Sequence, residues 1–333
     1  VNADLRRLAR EGWPPLPRYE DDPVAHLAVK HAHPPWLVAR WLARWGREWT
    51  EALCRADNER PPLALRVNTL KQDAVRVQDA LRAAGAAVQP SAYVPEGLIG
   101  EGLSFLEELE GLREGWFLFQ DEGSMLVSHA LAPAAESLIV DACAGVGTKT
   151  THLAQLTGDR GEVLAVDLRP AKLKLLEENC RRLGIGSVRP LAADARELPG
   201  LLPRPADYVL VDAPCSGFGV LRRRADARWR KSPEQLRSLP RLQLELLEAA
   251  YAALKPGGVL VYSTCTTEPE ENEEVVAEIC ARHRDLRAES LEDFLPRPLP
   301  REEDRRLAAQ GQLRLYPHVH GTDGFFIARL RKA

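Results

Sequence analysis

Two cysteines stand where apolar strands run out: Cys215 in DYVLVDAPCSG (207–217) and Cys265 in GVLVYSTC (258–265). A cysteine at such a place is ordinarily just a small buried residue. Two at matching strand ends, with Asp212 three residues before the first, make a set that can do chemistry. Methylation of a pyrimidine at carbon 5 needs a nucleophile, a base and an acid that steadies charge on the ring. Carbon 5 is too electron-poor to take a methyl group unaided. A thiolate adding at carbon 6 turns the ring into an enamine that attacks an electrophilic methyl, and a base then removes the carbon 5 proton so that the thiol leaves. Asp212 would hold the N3/N4 edge of the ring, and Lys149 would lower a thiol's pKa or orient the base. Spacing alone leaves open which thiol attacks and which assists.

The stretch DACAGVGTKT (141–150) supplies a candidate cofactor loop. Gly145 and Gly147 let the backbone come close to a ligand, and the helix that follows offers free N–H groups. It is not a phosphate loop and lacks the third glycine of a dinucleotide fingerprint. The second strand ends in Asp167, where an acid can hold ribose hydroxyls, with Arg169 just beyond. The third ends in Asp194, placed to accept from an adenine amine, next to Ala195. Asp141, Cys143, Ala144, Lys149 and Asp212 complete the expected set. Taken singly, each aspartate is as readily a turn or helix cap. Together, acids at successive strand ends repel a pyrophosphate and suit a positively charged nucleoside, which selects S-adenosylmethionine over a nicotinamide dinucleotide.

These residues need a sheet to align them. Strands are expected at 137–145, 162–168, 187–195, 207–215 and 258–265, separated by helical stretches. Near-continuous apolar strands joined by helices make a parallel sheet covered on both faces. A C-terminal hairpin turning near Gly321–Gly324 completes the outline of a Rossmann-like α/β methyltransferase domain. The expectation is a mostly parallel seven-stranded sheet with that antiparallel hairpin, spanning 126–333. Before it come a small α/β, RRM-like subdomain at 61–125 and a helical segment at 1–60. In the latter, Trp36, Leu37, Val38, Trp41, Leu42, Trp45 and Trp49 share one broad face, read as a packed face. A capping box of Ser232 and Gln235, with Pro233 at the first helical position, is expected to open the long helix before the fifth strand.

Composition bounds the rest. The 333 residues are 45% hydrophobic and 28% charged, a soluble globular balance. No apolar run reaches bilayer length and no secretory pattern opens the chain, so a cytoplasmic protein without membrane contact is expected. The six cysteines are scattered, with no C-x-x-C and no zinc-like spacing, which predicts neither disulfides nor a metal. His318 and His320 alone do not make a metal site and read as hairpin residues near the site's rim. A net charge of −3 confines nucleic-acid contact to a local patch. RRRADARWRK (222–231) is the candidate: Arg222, Arg223, Arg224, Arg228, Arg230 and Lys231. A charge run is usually a solvated face, but its position directly after the Cys215 loop favours RNA phosphates. A monomer is expected.

DAPCSGFGVLRR and VYSTCTTEPEENE resemble motifs IV and VI of the RsmB/Sun-type RNA 5-methylcytosine methyltransferases. HPPWLVARW, NERPPLALRVNTLK, FQDEGSMLV and HGTDGFFIARL resemble segments of the bacterial branch that methylates small-subunit (16S) rRNA, so the likeness runs along nearly the whole chain. It implies S-adenosylmethionine as methyl donor and a cytosine flipped out of RNA as substrate. It also implies roles for the thiols: the motif VI cysteine, matched by Cys265, attacks, and Cys215 assists proton removal and release. The cofactor loop departs from the family's usual A-P-G-G, having Gly145-Val146-Gly147-Thr148, while Asp141, Cys143, Gly147 and Lys149 match. The opening VNADLRRLARE resembles the last helix of a NusB-like domain, most of which is expected to be missing. Two rivals are a tRNA-specific relative and a non-catalytic RNA-binding ribosome-assembly module; intact Cys215, Cys265 and Asp212 argue against the latter.

Overall fold

The computed structural model describes residues 2–12, 15–101 and 110–333, which fall into two units: 1–60 with 221–231, and 61–220 with 232–333. The first unit is helical, with helices Asn2–Glu11, Pro23–His31 and Pro35–Ala56 and a short turn of helix at Ala227–Arg230. Asp22 caps the second helix, its side chain accepting from the Ala25 N–H at 2.8 Å. Leu37, Val38, Trp41, Leu53 and Cys54 are buried, and Trp41, Trp45 and Trp49 follow one another with ring centroids 6.4 and 6.1 Å apart. The long helix is broken at Gly46, whose φ of 74° and ψ of −174° lie outside helical space.

Arg228 corrects an expectation. It is only 2% exposed, and its guanidinium donates to Asn58 Oδ1 (2.8 Å), Ala32 O (3.1 Å) and Asp57 O (3.0 Å). The two terminal amino groups of its fork meet a cluster of carbonyl oxygens at the ends of helices, where backbone acceptors lack partners. This arginine is therefore a core strut of the helical unit and is not displayed to a phosphate. Arg223, Arg224 and Arg230 are exposed, Arg230 pairing with Asp226 at 2.9 Å, while Arg222 and Lys231 are half-buried.

In the second unit, β1 (Leu63–Val67), β2 (Ala87–Pro90), β3 (Gly97–Glu101) and β4 (Phe117–Phe119) form an antiparallel sheet in the order β2-β3-β1-β4. The helix Ala74–Ala83, capped by Asp73, packs Val77 and Leu81 with Leu65, Val67, Val88, Leu98 and Phe117. The large sheet contains β5 (Leu138–Asp141), β6 (Glu162–Asp167), β7 (Val188–Ala192), β8 (Ala206–Asp212), β9 (Leu254–Thr264), β10 (Leu286–Ala288), β11 (Gln312–Leu315) and β12 (Phe325–Lys332). Its order is β10-β12-β9-β8-β5-β6-β7, with β11 beside β12. Strands β5 to β9 run parallel, and β12 is antiparallel to β9, β10 and β11. Alternate residues serve opposite faces. Ile139, Leu210, Val261 and Ile327 meet Met125, Leu153 and Leu176 on one side; Val140, Val211, Tyr262 and Phe326 meet Leu247, Ala250 and Ile279 on the other.

Eight strands rather than seven build this sheet; β10 is only three residues long and carries no alternation to read. The β11–β12 connection contains a helical turn, Pro317–His320, rather than a tight hairpin. The long helix begins at Gln235, not at Pro233, and has no side-chain cap. Ser232 instead hydrogen-bonds the Glu234 carboxylate, and the side chain of Gln235 lies outside the described residues. Among the described residues no helix is long and apolar enough to cross a membrane.

Arg228→Met strands several buried carbonyls. Urea unfolding of the helical unit, followed by tryptophan fluorescence, should report a loss of about 2–4 kcal/mol. Arg224→Met, at an exposed position, should change it by less than about 0.5 kcal/mol.

Candidate active site

The site is built where β8 and β9 end. The two strands are parallel neighbours with Asp212 opposite Ser263. The chain leaves β8 through Ala213 and Pro214 to Cys215 and leaves β9 directly into Cys265. Ala213 N–H still donates to Ser263 O at 2.9 Å, so the ladder continues up to the site. Because the strands share a direction, both thiols emerge at one sheet edge, and their sulfurs lie 3.3 Å apart. That is a hydrogen-bonding distance, far from the roughly 2.05 Å of a disulfide. Gly219 N–H donates to Cys265 O (2.9 Å) and Gly324 N–H to Gly219 O (2.8 Å). A side chain at Gly219 would overlap the Gly324 backbone, so only glycine lets the loops close over Cys265.

The thiols are not equivalent. Donation from Cys215 S–H, helped by the Lys149 ammonium, holds the Cys265 thiol below its ordinary value. The same hydrogen bond, then burial and the charges on Cys265 and Glu271, push Cys215 well above it. Of the two coupled sulfurs, Cys215 is therefore the better holder of a shared proton and Cys265 the one that ionises more readily. Lys149 Nζ lies 2.7 Å from Asp212 Oδ2, and Ser263 Oγ donates to Asp212 Oδ1 at 2.8 Å. Burial opposes the Lys149 ammonium, but Asp212 outweighs it and keeps the lysine's pKa above the ordinary value.

The acids expected around a cofactor line the adjoining strand ends. Asp141, 1% exposed at the end of β5, accepts from Thr150 Oγ1 at 2.7 Å, while its Oδ1 is buried without a partner. Burial pushes its pKa up to about 6. Cys143 is half-buried, its thiol pushed up by burial and by Asp141. Ala144 N–H bonds Val166 O at 2.9 Å. Gly145 takes φ +58°, and its N–H donates to Asp167 Oδ2 at 3.0 Å; Gly147, at φ +86°, opens the helix Thr148–Leu156. Asp167 Oδ1 also accepts the Arg169 N–H at 2.8 Å, leaving the Arg169 side chain exposed. Asp194 precedes buried Ala195 and is gripped by Arg196, whose Nε and Nη2 reach its oxygens at 2.6 to 3.1 Å. The Arg196 fork was not anticipated, although D-A-R is the spacing for it. Arg196 N–H also donates to Asp194 Oδ1 at 2.9 Å, so three N–H groups engage the carboxylate and about one of its four acceptor positions is left.

A second unanticipated cluster joins three distant pieces of chain. Glu96 Oε1 accepts from His129 Nε2 (2.7 Å) and His152 Nε2 (2.9 Å), the donor atoms all lying within 4.8 Å of one another. Burial drives His152 down to about 3, whereas the two imidazoles hold Glu96, despite its own burial, well below the carboxylate range. The separations are those of direct hydrogen bonds, and no motif in the sequence links the three. His320 pairs with Asp304 at 3.1 Å, and burial pushes His318 down to about 4.

Comparison with known proteins finds relatives of the chain. A family model described as 16S rRNA methyltransferase RsmB/F matches residues 128–331. One described as the ferredoxin-like domain of RsmF/B-like methyltransferases matches residues 33–102. The chain is 39% identical to a probable ribosomal RNA small subunit methyltransferase B of Bacillus subtilis, with all of this chain and 73% of that protein aligned. Its identity to the ribosomal RNA small subunit methyltransferase B of Pseudomonas syringae is 36%, over all of this chain and 72% of that one. The crystal structure of NSun6 from Pyrococcus horikoshii with SFG superposes with a TM-score of 0.80 at 28% identity, covering 91% of this chain and 99% of the other.

The asymmetry between the sulfurs is directly measurable. Limiting iodoacetamide near pH 8, read by peptide mapping, should label Cys265 well ahead of Cys215. Lys149→Met should slow Cys265 labelling by about tenfold, the factor of one pKa unit; equal labelling of both thiols would contradict the charge assignment.

Proposed function

The chain belongs to the 16S rRNA methyltransferase RsmB/F family, and from that premise we propose that it methylates carbon 5 of a cytosine in small-subunit rRNA. Membership makes it an S-adenosylmethionine-dependent RNA methyltransferase; the base, the atom and the covalent route are our reading. The observation that carries it is the pair of sulfurs 3.3 Å apart, one favouring thiolate and one thiol, beside the Asp212–Lys149 pair.

The residues fit the cofactor. Asp141 Oδ1, buried and unpartnered, is a costly acceptor that a polar ligand would satisfy. Asp167 and Asp194 bring further acceptors at the next two strand ends. Bound there, S-adenosylmethionine supplies an electrophilic methyl group on a sulfonium.

The chain's own residues do the rest. A cytosine must leave its stack to reach half-buried thiols, which suits a loop or single strand. Asp212 accepts from the exocyclic amine of the flipped base, held in place by Lys149 and Ser263. Cys265 thiolate bonds to carbon 6, moving the ring's electron pair to carbon 5, which takes the methyl group. Consuming that thiolate removes the partner that does most to hold the proton on Cys215. Cys215 then gives its proton to solvent and takes the proton from carbon 5. The electrons of that C–H bond restore the ring double bond and expel Cys265 as thiolate. Arg222, Arg223, Arg224, Arg230 and Lys231 are our candidates for phosphate contacts.

Labelled methyl transfer to undermethylated small subunits, free rRNA and tRNA should favour rRNA substrates; preference for tRNA would select the tRNA-modifying alternative. Cys265→Ala should abolish methylation and yield no protein–RNA adduct on denaturing gels. Cys215→Ala should instead accumulate an adduct, because the nucleophile cannot leave. The reverse pattern would exchange the two roles.

A further inference from the structure

Beneath the thiols lies a carboxylate that the mechanism above does not use. Glu271 is fully buried. Its Oε2 accepts from the Ser216 N–H (2.8 Å) and from Gln243 Nε2 (3.0 Å), and its Oε1 from the Ser216 hydroxyl. Gln243 Nε2 also reaches Pro214 O at 2.9 Å. The residues on both sides of Cys215 are therefore held from one point. The same hub extends to the other thiol: Ser216 Oγ lies 2.7 Å from Thr266 Oγ1, next to Cys265. Tyr262 OH, three residues before Cys265, donates to Glu271 O at 2.6 Å.

We propose that Glu271 is the positioning residue that sets Cys215 against Cys265, acting through Ser216 and Gln243. This rests on the thiol chemistry proposed above and names the part that keeps the two sulfurs within one hydrogen bond of each other. A surface loop held only by its ends would let Cys215 drift, and a misplacement of about 1 Å at a reacting group costs on the order of a hundredfold in rate. Burying a carboxylate is expensive unless it is well hydrogen-bonded, and Glu271 meets that condition with groups of the Cys215 loop and the helix behind it. Burial raises the Glu271 pKa against these bonds, and its negative charge in turn helps keep the proton on Cys215. The hub therefore places Cys215 and adds to the bias that keeps the proton there.

The test is Glu271→Gln, which keeps the shape, removes the charge and sets an amide N–H₂ among the Gln243 and Ser216 donors. Two readouts separate it from a merely structural role. Methyl transfer should lose at least about tenfold in kcat, with KM for RNA and for S-adenosylmethionine within about twofold. The pH profile of Cys215 alkylation, which requires no RNA, should move to lower pH by about one unit, a tenfold rise in rate at fixed pH. A folded Glu271→Gln protein with unchanged kcat and an unchanged Cys215 profile overturns the proposal. If the alkylation profile moves while no RNA is methylated by the unsubstituted protein, the substrate assignment has failed and the hub stands. Should Glu271→Gln not fold, Ser216→Ala, which takes away one hydroxyl, is read by the same assays. A drop of several-fold in kcat supports the hub, and wild-type kcat overturns it.

Discussion

The site depends on one pairing: β8 beside β9, parallel, with Asp212 opposite Ser263. Side chains alternate faces along a strand, so a slip by one residue would turn Ser263 away from Asp212 and carry Cys265 out of reach of Cys215. Parallel direction matters as much as register, since antiparallel neighbours would deliver the two sulfurs to opposite edges of the sheet. Apolar residues on both faces, Leu210 and Val261 on one and Val211 and Tyr262 on the other, enforce that register.

Charge then divides the edge. Lys149 binds the carboxylate of Asp212, and its charge favours the thiolate form of Cys265. The acids Asp141, Asp167 and Asp194 occupy the neighbouring strand ends, where Asp167 is engaged mostly by backbone N–H groups and Asp194 by an arginine. One end of the edge thus suits a cation and the other an electron-poor ring.

Much of this was legible because it is local. The five core strands follow from apolar runs, and Gly147 stands at the start of the helix expected after the first of them. What escaped was set by partners far away in sequence. Arg228 reads as one more basic residue until the carbonyls of residues 32 and 57 surround it. Glu96, His129 and His152 form no motif, because a loop and two helices bring them together. Gln243 looks like an ordinary polar residue of a long helix and Glu271 like one of a run of acids, and only the fold closes them around Ser216. Gly46 was hidden by the strong periodicity on either side of it. β10 has too few residues to show a period at all.

The strut formed by Arg228 has a consequence for biosynthesis. The helices of residues 2–56 emerge from a ribosome long before residue 228 is made, yet their carbonyl cluster is closed by that guanidinium. The helical unit is thus not complete when its own helices have been made: its strut, Arg228, is added only after β1 to β8 have been translated.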